Sequence, residues 1–364
     1  MQKRFVLMVS LGVLASAASA RAQSYTQHNL VSDGVAVPAD RFDPNLVNAW
    51  GLVASSSSPW WSANNGSATS TLYDGAGVPR PLVVGIPGAP TGIVFNGTMG
   101  FVVRSGTAAA PARFIFATED GAIAGWAPAV RLTLAIVAAD RSSSGAVYKG
   151  LASGSTPSGA SFLYATDFHN GVVDIFDSAF ARVGSFTDHR LPRGYAPFGI
   201  QNVGGTLYVT FAKQDAARHD DVAGAGHGFV DAFDLAGQWV RRVASRGRLN
   251  SPWGITVAPA TFGAFAGDLL IGNFGDGKIN AFDPPSTSGD DELRRKGQLR
   301  SAACQPLSID GLWALQFGNG AGSGSKDTLY FTAGPDGEKH GLLGMIVPAP
   351  APDRCDDDEG ENED

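Results

Sequence analysis

Apolar and polar residues alternate along this chain in many short runs, and no long run keeps the spacing of a helix. In LYATDFHNGVVDIFD (163–177), two apolar stretches flank a polar turn, with Val172, Ile175 and Phe176 placed around Asp174. Short alternating runs are typical of strands, whereas a helical repeat needs apolar residues every three or four positions over a dozen or more. The pattern therefore predicts an all-β protein built from hairpins.

Two motifs recur through the chain. The first has a small central residue and opens an apolar strand: Trp50-Gly51-Leu52, Thr91-Gly92-Ile93, Lys149-Gly150-Leu151, Phe198-Gly199-Ile200, Trp253-Gly254-Ile255 and Trp313-Ala314-Leu315. The second is a strand, a polar turn and another strand, seen at 61–74, 115–127, 163–177, 207–234, 270–283 and 329–346. Repetition of this kind indicates one repetitive domain rather than two unrelated ones.

The central residues of successive first motifs lie 41, 58, 49, 55 and 60 residues apart. Such spacings match one four-stranded blade of a β-propeller with insertions in its outer loops, so six first motifs predict six blades. The stretch 28–34 precedes the first motif without a blade of its own, and the last unit lacks an outer strand. We therefore expect the N-terminal strand to complete the last blade and close the ring.

The stretch SDGVAVPADRFDPNLVNAWGLVASSSSPWWSANNG, followed by STLYDG, resembles a group of uncharacterised secreted bacterial proteins over nearly the whole mature chain. The P-x-G-I motif and the LYATD-x-x-x-G-x-V-D-I-F-D unit are more distantly similar to NHL-type propellers and their relatives among lactonases and streptogramin lyases. The first resemblance implies a secreted propeller. The second implies the fold and leaves the activity open.

The first 22 residues have the layout of a secretory signal, with two basic residues, an apolar run from Phe5 to Ala18 and small residues before a processing point. A membrane anchor is the alternative, but the apolar run is shorter than the ~20 residues of a spanning helix. We expect a signal peptide at 1–22, one propeller domain at 23–350 and an acidic disordered tail at 351–364. The mature protein would then be secreted, periplasmic or extracellular.

Charge and cysteine content narrow the range of partners. The chain has a net charge of −7, the expected signal removes three basic residues, and seven negative charges lie between Asp356 and Asp364. The folded body is therefore only weakly negative and has no basic surface for a phosphate backbone, so we do not expect nucleic acid as a partner. Cys304 and Cys355 either form one disulfide in the exported chain or remain unpaired.

The first motifs and the polar turns are expected at one end of the ring. In a four-stranded blade, the start of the innermost strand and the turn between the second and third strands lie at the same end. Residues from all blades then surround one mouth of the central channel. The expected ligand-binding residues are Trp50, Asn64, Glu119, Asp120, Asp167, His169, Phe198, Lys213, Trp253, Asn273, Asp276 and Trp313.

Two kinds of chemistry fit such a mouth. Carboxylates, amides and imidazoles beside aromatic rings form a polar ligand pocket, and a divalent cation such as calcium could bind to Glu119, Asp167 and Asp276. His169 with Asp167 is a candidate catalytic pair, in which the carboxylate orients the imidazole. The competing interpretation is turn chemistry, because Asp and Asn side chains bond the local backbone.

The turn of the fourth unit is the longest departure from the repeat, with His219 before Asp220 and Asp221, and His227 after them. Departures from a scaffold often carry function, although a purely decorative loop is the alternative. The sequence has no nucleophile elbow, zincin, P-loop or dinucleotide-binding pattern.

The leading hypothesis is a secreted propeller that binds a ligand or partner, such as an envelope or extracellular polymer, at the polar mouth. The alternative is a metal-assisted, lactonase-like hydrolase or lyase that uses the same face. A structural scaffold without a binding site is the third possibility.

Overall fold

The structure is a computed structural model that describes residues 24–285 and 292–350. The expected signal peptide at 1–22 and acidic tail at 351–364 lie outside the described residues, as does Cys355. Within the described part no cysteine is a free thiol, and Cys304 is disulfide-bonded. No helix in the described ranges has the length and apolar character needed to cross a bilayer.

Short strands make up nearly all of the regular secondary structure in the described residues. In chain order they are β1 (Ser24–Ser32), β2 (Arg41–Phe42), β3 (Ala49–Val53), β4 (Trp60–Asn64), β5 (Thr69–Tyr73), β6 (Pro79–Gly85), β7 (Pro90–Phe95), β8 (Val102–Ser105), β9 (Ala108–Pro111), β10 (Phe114–Thr118), β11 (Ala122–Trp126), β12 (Ile136–Asp140), β13 (Tyr148–Ser155), β14 (Ser161–Asp167), β15 (Val172–Asp177), β16 (Arg182–Phe186), β17 (Tyr195–Val203), β18 (Thr206–Lys213), β19 (Gly228–Phe233), β20 (Trp239–Ser245), β21 (Pro252–Val257), β22 (Leu269–Asn273), β23 (Ile279–Phe282), β24 (Arg295–Gln298), β25 (Leu312–Phe317), β26 (Leu329–Ala333) and β27 (Leu342–Ala349). Short helical segments occupy Asn65–Ser67, Ser142–Ser144, Gly263–Phe265 and Pro335–Glu338.

The strands form six blades, each an antiparallel meander from an innermost to an outermost strand. Blade 1 contains β3–β6, blade 2 contains β7 and β10–β12, and blades 3, 4 and 5 contain β13–β16, β17–β20 and β21–β24. Blade 6 contains β25, β26, β27 and β1, beside which the short β2 pairs in parallel. The innermost strands β3, β7, β13, β17, β21 and β25 contact one another in sequence, and β25 returns to β3. The predicted six-bladed all-β propeller is confirmed.

The N-terminal strand closes the ring, as predicted. β1 runs antiparallel to β27, from Ser24 opposite Ala349 to Ser32 opposite Leu342. It begins earlier than the expected stretch 28–34, and these added residues anchor it. The Tyr25 side chain is buried, and its hydroxyl donates to the Phe262 carbonyl of the neighbouring blade at 3.1 Å. Blade 6 is therefore built from both ends of the described chain.

The glycine of the first motif lies where neighbouring innermost strands approach each other. A Cβ atom on Gly92 would lie 2.2 Å from the Leu151 nitrogen, and one on Gly199 would lie 2.2 Å from the Trp253 carbonyl oxygen. Equivalent Cβ atoms would lie within 3.0 Å of a backbone oxygen of the next blade at Gly51, Gly150 and Gly254. The inner strands thus pack backbone against backbone, which explains why the repeat carries glycine at this position.

Threonine side chains strengthen the same contacts between blades. Thr91 donates to the Tyr148 carbonyl at 2.8 Å, and Thr166 donates to the Phe198 carbonyl at 2.7 Å. The Thr332 hydroxyl of blade 6 donates to Trp50 of blade 1 across the point of closure. Each bond satisfies a buried carbonyl at the inner strand of the next blade, which would otherwise cost stability.

Two insertions depart from the repeat at opposite ends of the ring. The hairpin β8–β9 follows the innermost strand of blade 2 and reaches blade 3, where the Phe101 nitrogen donates to the Ser178 carbonyl at 2.6 Å. The Phe101 ring packs against Phe180 with centroids 5.3 Å apart. The expanded turn between β18 and β19, at 214–227, lies at the end where the innermost strands begin. This second end carries the polar turns.

A buried ion-pair network joins blade 4 to the segment that enters it from blade 3. Arg242 binds the carboxylate of Asp231, and its Nη2 lies 2.7 Å from Asp188 Oδ2. Arg190 Nε lies 2.6 Å from the other Asp188 oxygen. Burial raises the pKa of Asp231 to about 7, against the attraction of Arg242 and with repulsion from Asp188. Burial also acts on Asp188, but hydrogen bonds from Arg190 and Arg242 lower its pKa below the ordinary value.

We expect Asp231→Asn to remove a pH-dependent loss of stability. The folded-state pKa of Asp231 lies above its unfolded value, so the protonated carboxyl group stabilises the fold. This stabilisation is complete below about pH 4 and is lost as the pH rises through about 7. The difference in free energy of unfolding between variant and wild type should therefore shift in favour of the variant by roughly 2 kcal/mol between about pH 5 and pH 8. Urea unfolding of both proteins across this range measures it, and a difference that stays constant with pH contradicts the prediction.

Candidate functional site

The polar turns meet at one mouth of the ring, where a single network receives a residue from every blade. We call this network the mouth cluster; its members are Asn65 of blade 1, Glu119 of blade 2, Lys149 of blade 3, Asp220 of blade 4, Trp253 of blade 5 and Glu338 of blade 6, together with the connecting residue Asn48. Residues far apart in sequence are thus direct neighbours. The convergence follows from the equal orientation of blades around one axis.

Lys149 is the centre of the mouth cluster. Its side chain is only 2% exposed, and its ammonium donates to Glu119 and to Asp220 Oδ1, the latter at 3.1 Å. The same nitrogen lies 5.3 Å from the centroid of the Trp50 ring, and the Lys149 carbonyl accepts from Trp253 Nε1 at 2.9 Å. A buried ammonium is stable only when it is paired. The two carboxylates from other blades therefore hold it in the channel.

Amide side chains connect this ion pair to the last blade. Asn65 Nδ2 donates to Glu119 Oε2 at 2.7 Å. Asn48 Nδ2 donates to Glu338 Oε2 at 2.7 Å and to Asn65 Oδ1 at 3.3 Å, while Asn48 Oδ1 accepts from Trp313 Nε1 at 3.1 Å. Asn48 has a left-handed φ of 46°, a conformation that asparagine tolerates better than most residues. The amides thereby fix both Glu119 and Glu338.

Below the charges, aromatic rings fill the channel. Trp50 and Trp313 stack with centroids 3.5 Å apart, and Phe274 stacks on the other face of Trp313 at 4.0 Å. Trp253 meets Trp50 edge-on at 6.0 Å, and Phe198 lies 5.9 Å from Trp313. Trp50, Phe198 and Trp313 are buried, whereas Trp253 is partly exposed. The rings expected around a rim form a plug instead, because six inner strands leave a channel narrow enough for them to fill.

The expanded turn of blade 4 brings an imidazole to the edge of the mouth cluster. His219 Nδ1 lies 2.9 Å from Asp220 Oδ1, the same oxygen that contacts Lys149. The turn is closed by Asp215, whose Oδ1 accepts a hydrogen bond from the backbone nitrogen of His219 at 2.9 Å. Both His219 and Asp220 are exposed on the outer side. A carboxylate that orients an exposed imidazole is the arrangement of an acid–base pair.

The surrounding charges act on one another. Burial opposes the charge of Lys149, but Glu119 and Asp220 raise its pKa overall, so it remains an ammonium. Burial acts against ionisation of Asp220, but Lys149 and His219 lower its pKa below the ordinary value. Glu338 has a raised pKa, mainly from burial and also from Glu119. The mouth cluster therefore carries three carboxyl groups against one permanent positive charge.

Glu119, His219 and Asp220 are close enough to share a metal ion, since one ligand atom of each lies within 4.8 Å of the others. The Lys149 ammonium already contacts both carboxylates and supplies the positive charge that a cation would supply. Of the three expected calcium ligands, only Glu119 belongs to this group. The carboxylates of Asp167 and Asp276 bond within their own turns.

Comparison with known proteins places the chain in a family. It is 33% identical over 319 residues to "Uncharacterized protein R648" of Acanthamoeba polyphaga mimivirus, covering 84% of this chain and 76% of that protein. It is 32% identical over 326 residues to "Uncharacterized protein L690" of the same virus, covering 85% of this chain and 83% of that protein. The chain belongs to the family of these two proteins. No family model matches it. Both relatives are viral, so membership of a secreted bacterial group stays a prediction.

Solved structures support the fold of this family member. A glucose dehydrogenase aligns with a TM-score of 0.54 at 12% identity, over 89% of this chain and 100% of that chain. A virginiamycin B lyase from Staphylococcus aureus aligns with a TM-score of 0.50 at 12% identity, over 90% of this chain and 99% of that chain. At such low identity the likeness concerns the propeller fold alone.

The structure separates the sequence-predicted residues into two sets. Trp50, Glu119, Phe198, Trp253 and Trp313 lie in the mouth cluster or its aromatic plug. The side chains of Asn64, Asp120, Asn273 and Asp276 bond within their own blade or close a turn: Asn64 to Thr71, Asp120 to the Ala89 nitrogen, and Asn273 to Asp276. Lys213 is exposed and makes no side-chain hydrogen bond or ion pair within the described residues.

Asp167 and His169 do not form the expected pair. The Asp167 carboxylate accepts from Asn170 Nδ2 at 2.7 Å and from the backbone nitrogens of Val147 and Asn170, at 3.2 and 3.1 Å. No hydrogen bond joins Asp167 to the His169 ring in the described part of the chain. Because the tight turn needs these acceptors, the carboxylate faces its own backbone, and the oriented imidazole belongs to His219.

Sequence reasoning missed Lys149 and Asn48 as site residues. Lys149 occupies the first-motif position that holds Trp50, Thr91, Phe198, Trp253 and Trp313 in the other blades. A single charged residue at a position otherwise filled by apolar or hydroxyl side chains was an available signal. Asn48 lies three residues before the central glycine of the first motif, where the other blades carry small or apolar residues, so its amide was also a signal in the sequence.

Proposed function

We propose that this protein is an exported propeller that binds a polar ligand at the mouth cluster, and that the ligand carries amine or hydroxyl groups of an envelope or extracellular polymer. The observation that carries the proposal is the convergence of all six blades on one charged network, with Glu119 fixed by Asn65 and Lys149. Such fixed polar groups are typical of ligand sites.

The charge of the mouth cluster supports this ligand class. The mouth cluster has three carboxyl groups, those of Glu119, Asp220 and Glu338, but only one ammonium, that of Lys149. The carboxyl groups therefore exceed the positive charge by two, which favours a ligand that donates hydrogen bonds. Hydrogen bonds from an ammonium or hydroxyl group to an ionised carboxylate are stronger than those between neutral groups. Trp253 adds a partly exposed aromatic surface beside them. An amine-bearing sugar unit would satisfy both features.

Matched glucosamine and N-acetylglucosamine oligomers test the proposal by calorimetric titration of the mature protein. The amine-bearing oligomer should bind more tightly, and Asp220→Asn should weaken it by about tenfold or more, the effect of losing about 1.4 kcal/mol. Asp120→Asn is the control, because it removes the same charge from a neighbouring turn whose carboxylate faces the Ala89 nitrogen. Absence of binding across amine-bearing and neutral polymers, or equal losses in both variants, contradicts the proposal.

A metal-assisted, lactonase-like hydrolase or lyase is the second candidate. The observation that favours it is the His219–Asp220 contact at 2.9 Å beside Glu119, since these three residues offer both a proton carrier and ligands for a divalent cation such as calcium. A cation there would have to compete with the Lys149 ammonium for two carboxylates. This second candidate function therefore requires a metal ion that binds Glu119 and Asp220 more strongly than the Lys149 ammonium does.

Elemental analysis and calcium titration test this second candidate. It predicts a bound divalent ion, a rise in melting temperature with calcium, and loss of that rise in His219→Ala. His227→Ala is the matched control, because this histidine lies in the same expanded turn and its Nδ1 bonds the Val222 carbonyl at 2.8 Å. If the purified protein contains no metal and its melting temperature does not change when calcium is added, the metal-assisted reaction is excluded.

Export and the choice of partner belong to the same proposal. The apolar run after the two N-terminal basic residues supports cleavage before Gln23, and the weakly negative body supports a partner other than nucleic acid. N-terminal sequencing of protein recovered outside the producing cell checks the first point. Gel-shift titration with duplex and single-stranded DNA checks the second, and binding at moderate salt would contradict it.

A further inference from the structure

A cavity of about 310 Å³ lies at the end of the ring opposite the mouth cluster, between blades 2, 3 and 4. Its walls are the last residues of the innermost strands β7 and β13, the first residues of β14, and Asn202 at the end of β17. Innermost strands begin at the mouth, so residues at their ends belong to the opposite face. The cavity has the size of a small-ligand site.

The lining of this cavity contains no charged side chain. Val94, Phe101 and Leu163 form a buried apolar floor, and Phe95 and Phe162 are partly exposed rings. Hydroxyl and amide groups line the remaining wall: Asn96, Thr98, Ser153, Ser155, Ser161 and Asn202. Rings that offer an apolar face beside hydroxyl and amide groups suit an uncharged molecule with many hydroxyls.

The polar wall combines fixed and available groups. Asn202 Nδ2 donates to the Ser153 carbonyl at 2.8 Å, and Asn96 Oδ1 accepts from the Thr98 hydroxyl at 2.7 Å. The hydroxyls of Ser155 and Ser161 lie 2.8 Å apart, which uses one of their two donors and leaves the other donor and several lone pairs. The described contacts leave the Ser153 hydroxyl without a partner. The amides thus hold the wall while the hydroxyls remain able to bind.

The segment that forms one side of the cavity is a departure from the repeat. Residues 96–101 lead into the hairpin β8–β9, which other blades lack in the described structure. Phe101 is buried with a φ of 56°, a left-handed conformation that is strained for a bulky residue. Backbone strain and insertions concentrate at functional sites. Both features lie at the cavity here.

We infer that this cavity is a second binding site, which takes a neutral monosaccharide or disaccharide unit. The partly exposed Phe162 ring packs against the apolar face of the sugar, and the serine hydroxyls bond its hydroxyl groups. The Phe95 ring already packs against Phe114 and lies 5.4 Å from the Arg113 guanidinium, so it forms part of the wall. The site differs in chemistry from the mouth cluster, where charge dominates. It is independent of the proposed function and survives if that function is wrong.

Ligand-observed saturation-transfer NMR with glucose, N-acetylglucosamine and cellobiose tests the inference on the mature protein. At least one neutral sugar should show saturation transfer with millimolar affinity. Ser155→Trp should abolish the transfer, because an indole at this exposed position fills the cavity. Ser158→Trp makes the same change in the adjoining loop outside the lining and should keep the transfer. Asp220→Asn at the mouth should also keep it.

Three results would overturn the inference: no transfer from any neutral sugar, transfer that persists in Ser155→Trp, or transfer that is lost in Asp220→Asn. The last would assign the sugar to the mouth cluster. Melting curves of both serine variants show whether each is folded. Phe162→Leu is a second test, because it replaces the aromatic ring by a smaller side chain and does not fill the cavity. This variant should weaken the signal severalfold if the inference holds and leave it unchanged if it does not.

Discussion

Gly92→Ala should destabilise the propeller severely. The added Cβ would lie 2.2 Å from the Leu151 nitrogen and 2.7 Å from the Gly150 carbonyl carbon, both backbone atoms of the next blade. Backbone cannot rotate away as a side chain can, so the two inner strands must separate. We expect a loss of about 3 kcal/mol or more, at the upper end of overpacking effects. Urea unfolding of wild type and variant measures the loss.

Gly34→Ala is the matched control for this substitution. A Cβ at Gly34 would meet nothing within 4 Å, and its φ lies outside the left-handed region. Its stability should stay within about 0.5 kcal/mol of wild type or rise slightly, since alanine restricts the unfolded chain. Equal effects at positions 34 and 92 would show that the close approach of inner strands is not what requires glycine in the first motif.

Lys149→Met should be the second large effect, because it removes the charge on which the mouth cluster depends. Methionine fills a similar volume but leaves Glu119 and Asp220 without their shared cation. Breaking a buried ion pair on one side typically costs about 3 to 5 kcal/mol. The exposed position of Asp220 places the expected loss near the lower value. Thermal and urea unfolding at neutral pH measure it.

Two further variants separate charge from packing. In Lys149→Met combined with Glu119→Gln and Asp220→Asn, neither carboxylate that contacts Lys149 is left without its cation, so most of the lost stability should return. Lys213→Met removes an exposed lysine of the next blade and should change stability by no more than about 0.5 kcal/mol. A single Lys149→Met variant as stable as wild type would mean that the ammonium does not hold the surrounding blades together.

Binding and stability effects at the mouth need separate measurements. Glu119 both pairs with Lys149 and accepts from Asn65, so its substitution would disturb structure and ligand contacts together. Asp220 is the better probe because its side chain is 66% exposed. The same reasoning favours Ser155 over Phe162 as the first probe of the opposite cavity. In both cases an exposed position lets a change in affinity be assigned to the site.

The number of blades and the way in which the ring closes can be predicted from the sequence alone. Both follow from local patterns: a motif repeated six times, with glycine at its centre in five copies and alanine in the sixth, and an N-terminal strand without a blade of its own that complements a last unit without an outer strand. Alternating side chains specify hairpins, and equal hairpins stack into one ring. Export and the exclusion of nucleic acid rest on the sequence and stay predictions.

Which polar residues form a site depends on contacts between blades and is visible only in the folded protein. Asp167 and Asp220 are both aspartates beside turns, yet Asp167 accepts from backbone nitrogens of its own blade, whereas Asp220 reaches Lys149 from 71 residues away. Glu119 meets Lys149 from 30 residues away and Asn48 meets Glu338 from 290 residues away. The reason is physical: strand and turn preferences act over a few residues, whereas ion pairs between blades depend on the rotation and radius of the whole ring.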